Sequence, residues 1–330
     1  MTAAAPSPPP SSAPRSAPMW RSQLGTYLGL LAVLAGMVGL FSWMSEYFWS
    51  TETFITIANE IPALAVMAVG MTFVLIIAGI DLSVGSVMAL SAATSAAAIL
   101  QWHWSVPAAA ALALVTGLVC GTITGAISVA WRLPSFIVSL GMLEAVRGSA
   151  YLVTDSRTQY VGDAISWLSA PFFGGISVAF LIALVLVVVA QMVLTRTVFG
   201  RSVVGIGTNE EAMRLAGVDP RPVRIIVFAL TGLMAGLAGL MQSARLEAAD
   251  PNAGTGMELQ VIAAVVIGGT SLMGGRGSVV TTAFGVLIIA VLEAGLAQVG
   301  ASEPSKRIIT GAVIVAAVII DTLRQRRAVA

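Results

Sequence analysis

The residues of this sequence that could do chemistry are few, and the most conspicuous are ionisable side chains within long apolar stretches. Glu144 and Arg147 lie three residues apart in one stretch, and Glu293 lies in another. A charge in apolar surroundings is costly, so each of these residues is a candidate for function. Because residues three apart share one face of a helix, Glu144 and Arg147 could pair with each other. Such a pair could join two helices or line a pathway, whereas Glu293 has no evident partner nearby in the sequence.

A second polar group, Asp81 and Ser83, stands between two apolar stretches in the sequence Asp-Leu-Ser-Val-Gly. An acidic residue just before a helix can accept hydrogen bonds from the free amide groups of its first turn. We therefore expect Asp81 to cap the following helix and stabilise a turn. A role for these two residues in a translocation pathway is the alternative.

The remaining residues give no support for enzymatic chemistry. A metal site cannot be built from one cysteine, Cys120, and one histidine, His103, and Ser-His-Asp or Cys-His catalysis is equally unsupported. The phosphate-binding pattern Gly-x-x-x-x-Gly-Lys-Ser/Thr is also absent from the sequence. We therefore predict a protein that is not an enzyme and has no cofactor or metal of its own.

The hydrophilic segment 195–223 is the longest loop on the side of the membrane that we assign below to the cytoplasm. The sequence of its middle part predicts a short amphipathic helix. Thr208 or Asn209 would cap this helix, the acidic residues that follow favour its N-terminus, and Gly217 would end it. A small helix held between two membrane spans is suited to docking on a partner, and the alternative is a solvated connector whose charges set the topology. The residues assigned to docking are Asn209, Glu210, Glu211, Ala212, Arg214, Leu215 and Gly217.

The elements that must position these residues follow from composition. Of the 330 residues, 57% are hydrophobic and only 10% are charged, whereas about a quarter of a soluble domain is charged. Several apolar stretches approach or exceed about 18 residues, the length of a membrane span. We therefore predict an all-α integral membrane protein with about ten transmembrane helices, near residues 26–44, 61–79, 83–100, 107–129, 134–153, 176–194, 223–243, 258–272, 279–299 and 308–320.

Two of these predicted spans are unusual. The third is rich in alanine and serine, and such small side chains allow close helix contacts, so it should be buried among its neighbours. The eighth is short and is followed by several glycines, so it could be broken or partly re-entrant.

Basic residues are distributed unevenly between the predicted loops. With the amino terminus inside, most of the 17 lysines and arginines fall on the inner side. Positive residues are enriched in cytoplasmic loops, so both termini are predicted to be cytoplasmic. Residues 1–22, rich in proline, would form a disordered cytoplasmic tail, and residues 23–330 would form the transmembrane domain.

An internal repeat supports this layout. The stretch 81–85 (Asp-Leu-Ser-Val-Gly) corresponds to 250–254 (Asp-Pro-Asn-Ala-Gly), and 133–135 (Leu-Pro-Ser) corresponds to 303–305 (Glu-Pro-Ser) at nearly the same offset. Five predicted spans separate the two halves, and an odd number reverses their direction. This pattern predicts an inverted-topology repeat, which many transporters use to build a pathway between pseudo-symmetric halves.

The chain closely resembles the ribose-type sugar permeases of bacterial ATP-binding-cassette importers over about residues 50–325. Four long segments carry the resemblance, MAVGMTFVLIIAGIDLSVGSVMAL (67–90), LPSFIVSLGMLEAVRGSAYLVTD (133–155), GRSVVGIGTNEEAMRLAGVD (200–219) and ARLEAADPNAGTGMELQVIAAVVIGGTSLMGGRGS (244–278). Thr208 stands where family members usually carry glycine, a change that should not affect docking.

The resemblance implies a multi-pass permease of the bacterial inner membrane, surrounded by lipid and paired with a second permease subunit as an expected homodimer. A separate ATPase would bind ATP, and a periplasmic binding protein would deliver a monosaccharide or similar polar solute for inward transport. The resemblance also implies that residues 209–217 form the coupling helix that enters a cleft on the ATPase. With a net charge of +1, no nucleic acid partner is expected.

Other functions remain open. The related permeases for branched-chain amino acids or nucleosides resemble the stretch 79–85 less closely. A stand-alone, ion-coupled secondary transporter is a different class, which the scarcity of paired intramembrane acids and the partner-shaped loop disfavour. A membrane-embedded enzyme has the least support, and the sequence does not identify the sugar.

Overall fold

The computed structural model describes residues 19–329, and this part of the chain is mostly helical, as the sequence predicts. A 3-10 helix (Gly162–Leu168) lies between the first two strands. The helices and strands run in the order α1 (Met19–Met44), α2 (Thr51–Ile76), α3 (Val84–Leu100), α4 (Val106–Ala130), α5 (Ser135–Val153), β1 (Gln159–Tyr160), β2 (Pro171–Phe173), β3 (Ile176–Ser177), α6 (Val178–Arg196), α7 (Val198–Thr208), α8 (Glu210–Leu215), α9 (Pro220–Leu246), β4 (Ala248–Ala249), α10 (Met257–Ile267), α11 (Val279–Gln298) and α12 (Glu303–Val329).

Helix α2 lies at the centre of the bundle. From Ile61 to Ile76 all its residues are buried, because α6, α9, α10 and α11 surround it. A helix that is apolar all round is expected at such a central position. At its start the Ser50 hydroxyl accepts a hydrogen bond from the Thr53 amide at 3.2 Å, which caps the helix.

Helices α4 and α9 pack through glycines. A Cβ atom at Gly232 would lie 2.1 Å from the Gly117 carbonyl oxygen, and one at Gly121 would lie 2.2 Å from the Phe228 carbonyl oxygen. Since no side chain fits at these positions, the two backbones are in direct contact. Small residues at helix contacts are typical of membrane proteins, where close packing replaces the hydrophobic effect as the driving force.

Seven of the described helices are long and apolar enough to cross a membrane, namely α1, α2, α4, α5, α6, α9 and α11. The predicted third and eighth spans correspond to shorter apolar helices, α3 with 17 residues and α10 with 11. At about 1.5 Å per residue, α10 covers roughly half of a hydrocarbon core. The predicted tenth span lies within α12. Length and composition alone therefore give seven spans rather than about ten.

The predicted burial of the third span and the predicted shortness of the eighth are confirmed. Nearly all residues of α3 are buried, against α4, α5 and α9. Helix α10 stops at Ile267, and Gly269 follows with a φ of +85°, which begins the irregular stretch 268–278. The small residues of α3 therefore serve close packing, and the glycines end α10 early.

Residues 154–177, between α5 and α6, form a small cap that the sequence analysis did not predict. Strand β1 pairs antiparallel with β4, and β2 pairs antiparallel with β3. The 3-10 helix buries Ile165 and Leu168 and packs on α9. The fold is therefore not purely helical, contrary to the all-α prediction. The strands were not predicted because two or three residues are too few to show hydrophobic periodicity.

The predicted boundary of the amino-terminal tail, at residue 22, is several residues late. Helix α1 already begins at Met19. Residues 1–18 of the predicted disordered tail lie outside the described residues. Helix α1 packs mainly on α11.

Candidate functional site

The chain between α2 and α3 is irregular and polar although it is buried in the bundle. Residues 79–83 have no regular structure. Asp81, which is 1% exposed, accepts hydrogen bonds from the Ser83 amide at 2.9 Å and the Ser83 hydroxyl at 2.6 Å. Asp81 therefore stabilises the expected turn, as short polar side chains often do. It does not cap α3, whose N-cap is Ser83 and whose first-turn amides receive no side-chain hydrogen bond from the described residues.

Helix α5 supports this irregular stretch with two serines. The Ser135 hydroxyl accepts a hydrogen bond from the Ile80 amide, and the Ser139 hydroxyl accepts one from the Leu82 amide, both at 3.0 Å. Non-helical backbone within a membrane protein needs such partners, because each unpaired amide in an apolar environment is costly.

Arg147 of α5 holds the segment between α9 and α10. Its Nη1 donates to the carbonyl oxygens of Pro251, at 2.6 Å, and Ala253, at 2.8 Å. Arg147 forms no salt bridge with Glu144 among the residues that the structure describes, so the predicted pair is wrong. Spacing along one helix could not reveal that carbonyl groups from a distant segment accept the hydrogen bonds of the guanidinium.

Glu144 instead lies on an exposed face of α5. Gly141, Ala145 and Gly148 on this face are exposed as well, and a Cβ atom at either glycine would meet open space. Helix α5 is long and apolar enough to cross a membrane. A carboxylate on such a helix is costly when it faces lipid. This face therefore needs either a water-filled pathway or a second protein surface.

Glu293 has a partner that the sequence analysis missed. Gln260 of α10 donates from Nε2 to Glu293 Oε1 at 2.6 Å. Both residues line a cavity of about 500 Å³ between α10, α11 and α12, with Glu60 of α2 also in its wall. At the cavity edge Lys306 donates to Glu303 at 2.7 Å, and this hydrogen bond lowers the pKa of the Glu303 carboxyl. The size of this cavity is in the range of small-molecule sites, and its polar groups could form hydrogen bonds with a ligand.

The short helix predicted within segment 195–223 is present as α8. Asn209 is its N-cap, since its side-chain oxygen accepts a hydrogen bond from the Ala212 amide at 2.9 Å. After Leu215 the chain turns at Gly217, which has a φ of +84°. The predicted cap and stop positions of this helix are therefore confirmed.

The charged residues of α8 divide into two groups. Glu210 forms a salt bridge with Arg224 of α9, which anchors α8 to the bundle. Glu211 and Arg214 lie 3.7 Å apart and are 64% and 57% exposed, and Leu215 is 83% exposed. We call Glu211, Arg214 and Leu215 the tip of α8. The tip combines two opposite charges with an apolar side chain on one exposed surface.

Segment 195–223 also holds a second helix, α7, where the sequence analysis expected loop. Ile206 of α7 is buried, and a Cβ atom at Gly207 would lie 1.7 Å from the Ile76 carbonyl oxygen. The Gly275 amide donates to the same oxygen at 2.8 Å. The ends of α2 and α7 and the stretch after α10 therefore meet at one point, three residues before α8 begins.

Sequence reasoning missed other polar residues that organise the bundle. Gln191 Oε1 accepts hydrogen bonds from the amides of Val279, at 2.8 Å, and Val280, at 3.2 Å, which caps α11. A glutamine inside the long apolar run of α6 is a signal that could have been used, and Gln260 in α10 is another. Arg224 carries no such signal, because it is one of several arginines near the same loop.

Comparison with known proteins relates this chain to transport proteins. A family model described as "Branched-chain amino acid transport system / permease component" matches residues 53–318. The ribose import permease protein RbsC of Escherichia coli (strain K12) is 37% identical over 312 residues, which is 93% of this chain and 95% of the relative. The D-allose transport system permease protein AlsC of the same strain is 33% identical over 299 residues, covering 89% and 91%. The fructose import permease protein FrcC of Rhizobium meliloti is 32% identical over 305 residues, covering 88% and 84%.

Proposed function

Because this chain belongs to the branched-chain amino acid transport system permease component family, and is similar to sugar import permeases over most of its length, we infer that it is the membrane permease subunit of an ATP-driven sugar importer. It is a multi-pass protein of the bacterial inner membrane. The substrate class is a monosaccharide, since the names of its relatives specify ribose, D-allose and fructose. The extensive match to sugar permeases is the observation that carries this conclusion.

We propose that the permease works with three kinds of partner. A separate ATPase subunit would bind ATP, so this chain needs no cofactor of its own, and a periplasmic protein would deliver the sugar. A second copy of this chain would complete the pathway. The exposed face of α5 supports a homodimer, because Glu144, Ala145 and the two glycines there need water or protein rather than lipid around them.

The proposed topology has about ten spans with both termini in the cytoplasm, in which α3, α10 and α12 join the seven long apolar helices. The proposed inverted repeat relates α2–α5 to α9–α12. Its support is a contact between equivalent residues of the two halves. A Cβ atom at Gly85 would lie 2.4 Å from the Gly254 carbonyl oxygen, and one at Gly254 would lie 2.7 Å from the Gly85 carbonyl oxygen. Such mutual contact is expected close to a pseudo-two-fold axis.

In the proposed mechanism, the tip of α8 docks into a cleft on the ATPase. Closure of the ATPase around ATP would move α8, and α7 would carry this movement to the end of α2 through the contact between Gly207 and Ile76. On the opposite side, the cavity around Glu293 and Gln260 would receive the sugar from the binding protein. Each partner can shift the inward–outward equilibrium only through its different affinity for the two states.

Reconstitution tests this function directly. The permease, its ATPase and its binding protein are placed in liposomes, and uptake of labelled ribose, D-allose and fructose is measured with and without ATP. Uptake should require all three proteins and ATP, and it should be lost when the phosphate-binding lysine of the ATPase is replaced. Sugar uptake by the purified permease alone, driven by an ion gradient, would overturn the proposal.

A further inference from the structure

A groove of about 670 Å³ opens between the turn that joins α4 to α5 and the segment from α8 to the start of α9. Four arginines but only two acidic residues line it, together with apolar and small side chains. The charged lining residues are Arg132, Arg214, Arg221, Arg224, Glu210 and Asp219. Of these residues only Arg214 belongs to the tip of α8, which the proposed transport cycle places against the ATPase.

The positive charge of the groove is only partly neutralised within the chain. Arg214 and Arg224 form salt bridges with glutamates of α8. Arg132 and Arg221 form no salt bridge within residues 19–329. In addition, the Arg224 Nε is buried and has no hydrogen-bond partner within the described chain. Guanidinium groups in this state favour an anion, and phosphate oxygens match their geometry.

Arg132 is held in the groove by an unusual backbone conformation. Its φ is +53°, and the Leu133 amide donates to the Ser128 carbonyl oxygen at 3.0 Å, as at a helix end where glycine is usual. An arginine in this left-handed conformation is less favourable than a glycine. The turn therefore carries an arginine where the backbone alone would favour a smaller residue, an observation that points to a use for its charge.

Apolar side chains border the groove on its α4 side. Val129 and Leu133 line it, and Trp131 between them is 69% exposed. From there an exposed apolar surface continues along α4 at Leu118, Val119 and Ile123. Because α4 and α5 are both long enough to cross a membrane, the turn between them lies at headgroup level, where tryptophan is enriched.

We propose that this groove binds the phosphodiester headgroup of an anionic phospholipid, whose acyl chains lie along the apolar face of α4. Basic pockets at the ends of membrane helices are suited to such headgroups. An acidic segment of the ATPase would neutralise the arginines of the groove but would leave the apolar surface of α4 without a role. A phospholipid accounts for both the arginines and the apolar surface. Since residues of α8 and Arg224 line the groove, the bound lipid would lie against the anchor of the coupling helix.

The experiment uses Trp131 as its reporter. The full chain is reconstituted in vesicles of phosphatidylglycerol and phosphatidylcholine at constant composition, with brominated acyl chains on one lipid or the other. The contribution of Trp131 is the difference between wild-type fluorescence and that of the Trp131→Phe variant. Brominated phosphatidylglycerol should quench the Trp131 fluorescence more strongly than brominated phosphatidylcholine does. Since one basic residue near an anionic surface contributes about fivefold in affinity, Arg132→Gly should reduce the preference by about fivefold.

Arg132→Gly suits the turn, so loss of the fold would not explain a loss of lipid preference. Arg221→Gln should act in the same direction, whereas Arg201→Gln on the exposed surface of α7 is the matched control and should leave the preference unchanged. Equal quenching by the two brominated lipids would overturn the proposal, and so would an equal loss in Arg201→Gln, which would indicate general surface charge. An unchanged lipid preference with weaker ATPase co-purification in Arg132→Gly would assign the groove to the ATPase instead.

Discussion

Charge reversal at the tip of α8 should uncouple transport without unfolding the permease. Glu211 and Arg214 are both more than half exposed and lie 3.7 Å apart. An ion pair of this kind on a helix surface contributes only about 0.2–0.5 kcal/mol. Glu211→Arg or Arg214→Glu should therefore leave membrane insertion and the thermal unfolding temperature of the permease nearly unchanged.

The effect on the ATPase should be much larger. Where a charged side chain enters a partly desolvated cleft, placing a like charge opposite its partner costs on the order of a few kcal/mol. Because about 1.4 kcal/mol is a factor of ten in affinity, the permease should bind its ATPase roughly a hundredfold more weakly. The structural cost and the binding cost of the same substitution thus differ severalfold, which makes the two separable by experiment.

The assay measures three quantities for each variant: membrane abundance, ATPase retained during purification, and sugar uptake in cells. Glu52→Arg, at the exposed start of α2 on the opposite side of the bundle, is the matched control and should be normal in membrane abundance and ATPase retention. Charge reversal in the ATPase cleft should restore binding to the α8 variants. Wild-type uptake and normal ATPase retention in both α8 variants would refute the reasoning, and segment 195–223 would then be only a connector.

Three further predictions concern the bundle itself. Arg147→Met should lower membrane abundance and thermal stability, because two carbonyl oxygens after α9 lose their donor at about 1–3 kcal/mol for each buried unpaired group; unchanged melting in detergent would contradict this assignment. Gly232→Leu should abolish accumulation of folded protein, as the side chain would collide with the α4 backbone, and a monodisperse peak on size-exclusion chromatography would show that the contact can yield. In a Cys120→Ala background, Asn209→Cys should resist impermeant thiol reagents in intact cells and react in opened membranes, whereas labelling from outside would invert the topology.

The sequence was most informative where structure depends on local patterns. The apolar stretches predicted the long helices, because the backbone groups of a membrane span must form their hydrogen bonds within that span. The small residues of α3 predicted its burial, and Asn209 and Gly217 predicted the bounds of α8 through capping rules that act within a few residues. Helix α10 was expected to be short for the same reason, since the glycines that end it follow directly.

The errors concern contacts between residues far apart in the chain. Arg147 binds carbonyl groups more than a hundred residues away, so its spacing from Glu144 suggested the wrong partner. Glu293 pairs with Gln260 of a different helix, which no pattern within α11 could indicate. Helix α7 was missed because it contains three glycines, Gly200, Gly205 and Gly207. Its glycines favour loop in a sequence, but Gly207 lets the backbone of α7 contact α2 and the stretch after α10.

The backbone contact at Gly207 couples movements of α7 to the end of α2. At the point where Gly207, Ile76 and Gly275 meet, backbone atoms touch with no intervening side chain that could change rotamer and absorb a displacement. A movement of α7 must therefore shift the end of α2, and the irregular residues 79–83 follow directly from that end. Those residues are held by Ser135 and Ser139 of α5, the helix that carries the exposed Glu144. A continuous set of contacts thus joins the proposed ATPase-docking helix α8 to α5, and its stiffest part is the glycine contact rather than any charged residue.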